Sequence, residues 1–558
     1  MDKSVKETIR KKLSFIYEET NVDKILEKLE AVIAKYQGSR VTPGFVDESD
    51  AMLITYGDSL INEGEKPLVT LRNFLEKYVG DAITSVHLLP MFPYTSDDGF
   101  SVVDYREVNP SLGSWDDVYA LSENYKLMYD AVINHVSKSS EWFRKYLGGD
   151  EKYAGYFIEC DPHADYSSVV RPRALPLLTR FDTAKGEKYI WTTFSDDQID
   201  LNYACPDVLV EIVDLLLFYA QKGAKYIRLD AAGFIWKELG TPCIHHPKTH
   251  EIIKLIRLVL DYVFGDVIII TETNVPHEEN VSYFGNGDEA HMVYQFPLAP
   301  LVLFSYVTGN TEKLSQWASE INATKGKTTY LNFLASHDGI GVRPTEGILN
   351  EEERQLLLDA VLDRGGRISY KNNGDKPPTP YELNISYQDA LSPLDDCDEN
   401  RVKRFIGAET ILMSVVGVPG IYIHSLLGSR NYYKGVEESG INRRINREQL
   451  HYKNLEKELN SDTNRAVIFR EQLRRLKIRK SCSAFSPKAS QKVLYPDDRV
   501  FAVLRENNET SDRVLALINV SSSNVILKNE YIGTDLLSGK KAGKIIELEP
   551  FGCMWIRF

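Results

Sequence analysis

PDVLVEIVDLLLFYAQ (206–221) followed by KYIRLD (225–230) is the stretch on which the fold turns. The first segment carries apolar residues at helical spacing and reads as an amphipathic helix. The second is a short apolar run left through an acid, the pattern of a strand buried on both faces whose tip opens outward. Working outward, the same alternation recurs. Apolar runs stand at MLITY (52–56), ITSVHLLP (83–90), LMYDAVINH (127–135), VIIITET (267–273), AHMVYQF (290–296), YLNFLASHD (330–338) and GVPGIYIH (417–424). Helical stretches such as HEIIKLIRLVLDYVF (250–264) lie between many of them. With KYIRLD these are eight candidate strands, and eight strand–helix units predict an α/β protein with a closed (β/α)8 TIM barrel.

Two gaps are longer than one helix. Residues 136–205 follow the third strand and 339–402 follow the seventh, so both are expected as inserted loop regions at the mouth of the barrel. Residues 1–46 read as two amphipathic helices: Ile9, Leu13 and Ile16 share one face, as do Leu26, Leu29, Ile33 and Tyr36. Packing against the main body is the expected role. The barrel is then taken as 47–487. The tail, 488–558, changes to short alternating runs such as RVFAVLRE (499–506) and RVLALINVS (513–521), a small antiparallel β domain.

Composition narrows the function. Of 558 residues 43% are hydrophobic and 26% charged, which describes a globular chain. The formal net charge of −14 repels phosphate backbones and anionic lipid, so neither nucleic acid nor a membrane surface is expected as partner. Six scattered cysteines with no CxxC argue against a zinc site or a disulfide framework and suit a reducing compartment. The most membrane-like stretches, 292–311 and 411–429, are broken by Pro and Gly, and the first residues lack an apolar signal core; the expected location is the cytoplasm.

Ionisable residues at strand tips carry the chemistry. Arg228 with Asp230, Glu272 with Asn274, and His337 with Asp338 fall at the ends of strands four, five and seven. A strand buried on both faces cannot hold an unpaired carboxylate in its body, but its tip can. Three acids on one barrel mouth suit retaining glycoside transfer, which needs one ionised carboxylate and one acid of raised pKa. Arg228, two residues before Asp230, shares its face and would hold it ionised. Glu272 is then the acid/base and Asp338 a stabiliser of the oxocarbenium-like transition state.

The segments DAVINH (130–135), QIDLN (198–202), YIRLDAAGF (226–234), IIITETN (268–274) and FLASHD (333–338) resemble, in position and strand placement, five motifs of glycoside hydrolase family 13, the α-amylase superfamily. HLLPMFPYTSDDGFSVVDY (87–105), RPRALPLLT (171–179), HDGIGV (337–342) and GVPGIYI (417–423) look like its sucrose phosphorylase branch. SDDQIDLNY (195–203), ETNVPH (272–277), PYELN (380–384) and LLGSRNYY (426–433) look most like the glucosylglycerate phosphorylases of that branch. The resemblance implies Asp230 as nucleophile, Glu272 as general acid/base and Asp338 as stabiliser. It further implies that His135, Arg228 and His337 hold the glucosyl unit, that Asp98 and Arg443 grip its far hydroxyls, and that Phe194 and Gln198 line the donor–acceptor boundary. Arg173 matches an arginine implicated in phosphate binding. No cofactor and no metal are implied, although Asn134 stands where calcium-binding amylases carry a ligand. Asn274, Phe234 and, after Tyr381, Glu382 depart from the sucrose-specific pattern on the acceptor side, which puts sucrose in doubt and leaves glucosyl transfer intact.

A phosphorylase must admit phosphate beside an acidic cluster, so local cations are needed. Arg173, Lys237, His245, His246 and Lys248 are the candidates. The resemblance therefore implies phosphorolysis of 2-O-α-D-glucosyl-D-glycerate to α-D-glucose 1-phosphate and D-glycerate, with phosphate, a glucosyl donor and a small anionic acceptor as partners. Phosphorolysis of sucrose, sucrose 6'-phosphate or glucosylglycerol, plain hydrolysis or transglycosylation, and a non-enzymatic binding barrel are the other readings. Monomer and homodimer both stay open.

Overall fold

A computed structural model describes residues 1–18, 21–36, 45–173, 175–373 and 376–558. Eight parallel strands close into a barrel: β1 (Met52–Thr55), β2 (Ser85–Leu88), β3 (Lys126–Ala131), β4 (Ala224–Leu229), β5 (Ile268–Thr271), β6 (Met292–Tyr294), β7 (Thr329–Phe333) and β8 (Val418–Tyr422). Each pairs with its chain neighbour and β1 closes on β8, with Leu53 opposite Ile421. All eight expected strands are present. All but β4 are shorter than their apolar runs, because the chain bends out of the sheet where the mouth opens. LMYDAVINH leaves the barrel after Ala131, and His135–Ser137 instead pairs with Gln198–Asp200 of the following insertion. The acids thus sit just past the tips: Asp230 follows Leu229, and Glu272 follows Thr271.

Two helices on the outer ring, Pro206–Gln221 and Pro247–Val263, begin with proline at their first turn, where its missing N–H costs nothing. The N-terminal helices, α1 (Lys3–Tyr17) and α2 (Val22–Ile33), lie against this pair and bury Ile9, Leu13, Ile16, Leu26, Leu29 and Ile33. Lys12 meets Glu251 at 2.8 Å, and the Tyr17 hydroxyl donates to the Tyr203 carbonyl at 3.0 Å. They cover the barrel, as expected.

In the stretch after β3, Gly186–Trp191 is the central strand of a small antiparallel sheet with Glu159–Cys160 and Leu178–Thr183. After β7 a hairpin of Arg367–Asn373 and Lys376–Asn384 adds Ile340–Gly341 at its edge, which carries the chain after Asp338 back across the mouth. The tail forms an antiparallel sheet around Val500–Asn507, Asp512–Asn519 and Cys553–Arg557. Within 292–311 the only helix is Leu298–Thr308, and among the described residues no helix is long and apolar enough to cross a membrane.

Candidate active site

Register builds the first half of the site. In the β3–β4 ladder Arg228 lies opposite Asp130, so the guanidinium bonds the Asp130 carboxylate and, at 2.7 Å, Oδ1 of Asp230. Asp130 also bonds Nε2 of His87, from β2, at 2.6 Å. The result is a buried ladder, His87–Asp130–Arg228–Asp230, in which one guanidinium serves two carboxylates.

Glu272 stands in a different environment. Its described hydrogen bond comes from the Ala231 N–H, 3.1 Å from Oε2. Burial pushes its carboxyl up to about 7, with the Asp230 and Asp338 charges adding to the rise and Arg228 opposing it. Burial also raises Asp230, but the Arg228 guanidinium in direct contact works against that. Burial thus raises both acids, and Asp230 is the one of the two bonded to a guanidinium that opposes the rise.

Asp338 completes the cluster. Burial would raise its carboxyl, yet Arg443 at 2.6 Å and Arg447 hold it far below the usual carboxylate range. Arg443 is a hub, because its Nε and Nη2 also grip Glu382 at 3.0 and 2.8 Å. His337 is pushed down to about 3 by burial and stacks on Phe100, with ring centres 4.8 Å apart and an angle of 7°. A neutral ring on an aromatic face is an apolar wall for one side of a sugar.

One cavity joins these groups. Its lining contains Asp230, Glu272, Asp338, His135, Arg173, Phe194, Gln198, His337, Tyr381, Glu382 and Arg443, so all but two of the residues expected from the family motifs come together. Arg228 lies behind the wall, bonded to Asp230. The other exception is a correction. Asp98 does not line the cavity: Arg444 and Arg447 hold it away. Asp97 lines it instead, bonded to Arg173 at 2.8 Å and accepting from Gln198 Nε2 at 3.2 Å. Both aspartates have positive φ, 53° and 50°, and two successive left-handed residues turn the adjacent side chains to different partners. Asp197 fixes this loop by accepting hydroxyl bonds from Thr95 at 2.6 Å and Ser101 at 2.9 Å. His135 Nε2 donates to the Phe100 carbonyl at 2.9 Å, and Phe194 packs on His135 and Phe234.

The expected acceptor cations divide. Arg173 and His245 line the cavity. Lys237 does not: it is buried, 2.7 Å from both Asn134 Oδ1 and Asp200 Oδ2. Its ammonium occupies the oxygen pair that a hard cation would use, with Asp200 bonded also by the Thr193 N–H and hydroxyl at 2.7 Å. His246 caps the helix Pro247–Val263, and Lys248 lies over the Trp236 ring at 4.6 Å. Neither lines the cavity. Sequence reasoning missed Asp97, Phe100, Arg171, Arg343 and Lys371, all of which do. Arg343 was within reach, since it follows Asp338 by five residues on the same loop. Lys371, on the hairpin, had no such marker.

Comparison with known proteins agrees with this geometry. Residues 77–347 match the family model described as alpha amylase, catalytic domain. A glucosylglycerate phosphorylase of Spirochaeta thermophila is 49% identical over 92% of this chain and 89% of its own length. One of Allomeiothermus silvanus is 46% identical over 99% of this chain and 98% of its own. The crystal structure of a sucrose 6F-phosphate phosphorylase from Thermoanaerobacter thermosaccharolyticum shares the fold, with a TM-score of 0.74 at 24% identity over 89% of this chain and 98% of that one. With its barrel, its three clustered acids and these relatives, the chain belongs to glycoside hydrolase family 13, the α-amylase superfamily, alongside the glucosylglycerate phosphorylases of the sucrose phosphorylase branch.

Proposed function

We propose that the chain is a retaining α-glucoside phosphorylase acting on 2-O-α-D-glucosyl-D-glycerate and phosphate, through a covalent glucosyl-enzyme. The observation that carries the chemistry is the contrast between Asp230, bonded to a guanidinium, and Glu272, buried with its carboxyl raised to about 7. A carboxylate bonded to a cation beside a carboxyl whose proton is retained by burial is the pairing that double displacement requires. Glycerate as acceptor rests on the name of a relative 49% identical over nearly the whole chain.

In the first half-reaction Asp230 attacks the anomeric carbon from the face opposite the leaving group. The bond to O2 of glycerate breaks as Glu272 gives that oxygen its proton. Asp338, held ionised by Arg443, takes hydroxyl hydrogen bonds from the sugar and offsets the positive charge that grows on the ring. The packed pairs His135–Phe194 and Phe100–His337 wall the sugar. In the second half-reaction a phosphate oxygen attacks the same carbon, Asp230 leaves, and Glu272 takes the phosphate proton. Arg173 stands at the cavity as the cation nearest in role to that dianion. Its bond to Asp97 opens when phosphate arrives, so Asp97 competes with the incoming ion.

The test is synthesis run in reverse. α-Glucose 1-phosphate is supplied with D-glycerate, fructose, fructose 6-phosphate or glycerol, and phosphate release is followed against an acceptor-free blank. Glycerate-dependent release is the expected result. Preference for another acceptor would keep the mechanism and overturn the substrate, and release without any acceptor would make the protein a hydrolase.

A further inference from the structure

Resting on the reading just given, we propose that Arg343 is the residue that selects an acceptor bearing a carboxylate, with Asn274 taking a neighbouring hydroxyl. The cavity holds four arginines: Arg171, Arg173, Arg343 and Arg443. Two are held by carboxylates at close hydrogen-bonding distance and a third bonds a backbone carbonyl. Arg443 is spent on Asp338 and Glu382, Arg173 on Asp97, and Arg171 on the carbonyl of Leu175. Arg343 differs. Its described carboxylate contact is Glu279 Oε2, 3.5 Å from Nη2, at the limit of hydrogen bonding. That oxygen is shared with His245 Nε2 at 3.1 Å, and His245 is anchored through Nδ1 to the Tyr283 hydroxyl at 2.7 Å. Glu279 therefore orients one edge of the guanidinium, and among the described residues no second carboxylate pairs with it. A planar fork suits a carboxylate better than a point charge does.

Asn274 supplies the second, independent observation. It lines the same cavity beside Glu272, and its Oδ1 is buried without a hydrogen-bond partner among the described residues. An orphaned amide oxygen in a site is costly unless a ligand satisfies it. Gly341 keeps that amide in place, because a Cβ there would lie 2.9 Å from both Nδ2 and Oδ1. Arg343 follows Gly341 by two residues, so one short segment positions both groups. The free ends of D-glycerate are a carboxylate and a hydroxyl on adjacent carbons of the glucosylated one, which matches a loosely paired guanidinium beside an unfilled amide oxygen.

The experiment compares the unaltered protein with Arg343→Gln and Arg343→Lys in the synthesis direction, with D-glycerate or glycerol as acceptor. For Arg343→Gln, KM for glycerate should rise by roughly 10–100-fold, the worth of a lost charge-assisted pair, and well beyond any change in KM for glucose 1-phosphate. The preference for glycerate over glycerol should collapse, and Arg343→Lys should keep an intermediate share of it. An unchanged glycerate-to-glycerol ratio in Arg343→Gln would overturn the assignment while the phosphorylase reading stands. Parallel loss for both acceptors would also overturn it and make Arg343 structural. An unaltered protein that ignores glycerate would overturn the substrate itself, which the first column of the same data reports.

Discussion

The acid/base pair is where single atoms decide behaviour. Glu272 is raised to about 7 chiefly by burial, and its sign can be followed through pH. The protonated form dominates below about 7, so attack on the glucoside should weaken as pH rises through that value. In Glu272→Gln this limb should vanish, and turnover should recover in part with glucosyl fluoride, whose leaving group needs no proton; pH profiles of both donors read the result. Stability carries the same sign. Below the unfolded value of 4.5 the carboxyl is protonated in both states and costs nothing, whereas above about 7 the folded chain bears a buried charge. Glu272→Gln should therefore raise the thermal midpoint more at pH 8 than at pH 5, measured by calorimetry at both.

At the scale of elements, one lysine ties two excursions together. Lys237, from the loop after β4, pairs with Asp200 of the insertion and with Asn134 beyond β3, and its side chain is 2% exposed. Removing one partner of a buried pair strands the other charge, at a cost of about 3–5 kcal/mol. Lys237→Ala should lower the unfolding midpoint accordingly and loosen the wall that carries His135. The double variant Lys237→Ala/Asp200→Asn should recover much of the loss, since no unpaired charge is left; a double-mutant cycle in denaturant measures the coupling.

For the whole molecule, the N-terminal helices are part of the body. Leu13 and Leu29 are fully buried against barrel helices, in the manner of core residues. Truncating either to Ala should cost about 2–5 kcal/mol in denaturant unfolding, as for a leucine in any packed core. Little effect from both would mean that the pair α1–α2 docks loosely. The far end of the barrel is closed by arginines. Arg479 is buried and donates to the carbonyls of Gly417 and Phe485 at 3.1 and 3.0 Å. Arg505 reaches the Ser414 carbonyl at 2.9 Å from the C-terminal sheet, so tail and barrel share one polar seam.

The barrel itself was legible before any coordinates, because apolar runs and helical periodicity record burial directly: a strand with two dry faces must be apolar along its length. The three acids were legible for the complementary reason, since a carboxylate is tolerated only where such a strand ends. What the chain order could not reveal was which of two adjacent aspartates faces the cavity. Asp97 and Asp98 are chemically identical, and left-handed backbone at both positions, set by the surrounding loop, decides between them. Nor could it show that Lys237 is consumed by Asp200 while Arg343 meets Glu279 only at 3.5 Å, because those partners lie dozens of residues apart along the chain. Local patterning determined the scaffold and where its three acids fall at the mouth. Only tertiary contact decided which of the many charges at the mouth are neutralised and which are left for a substrate.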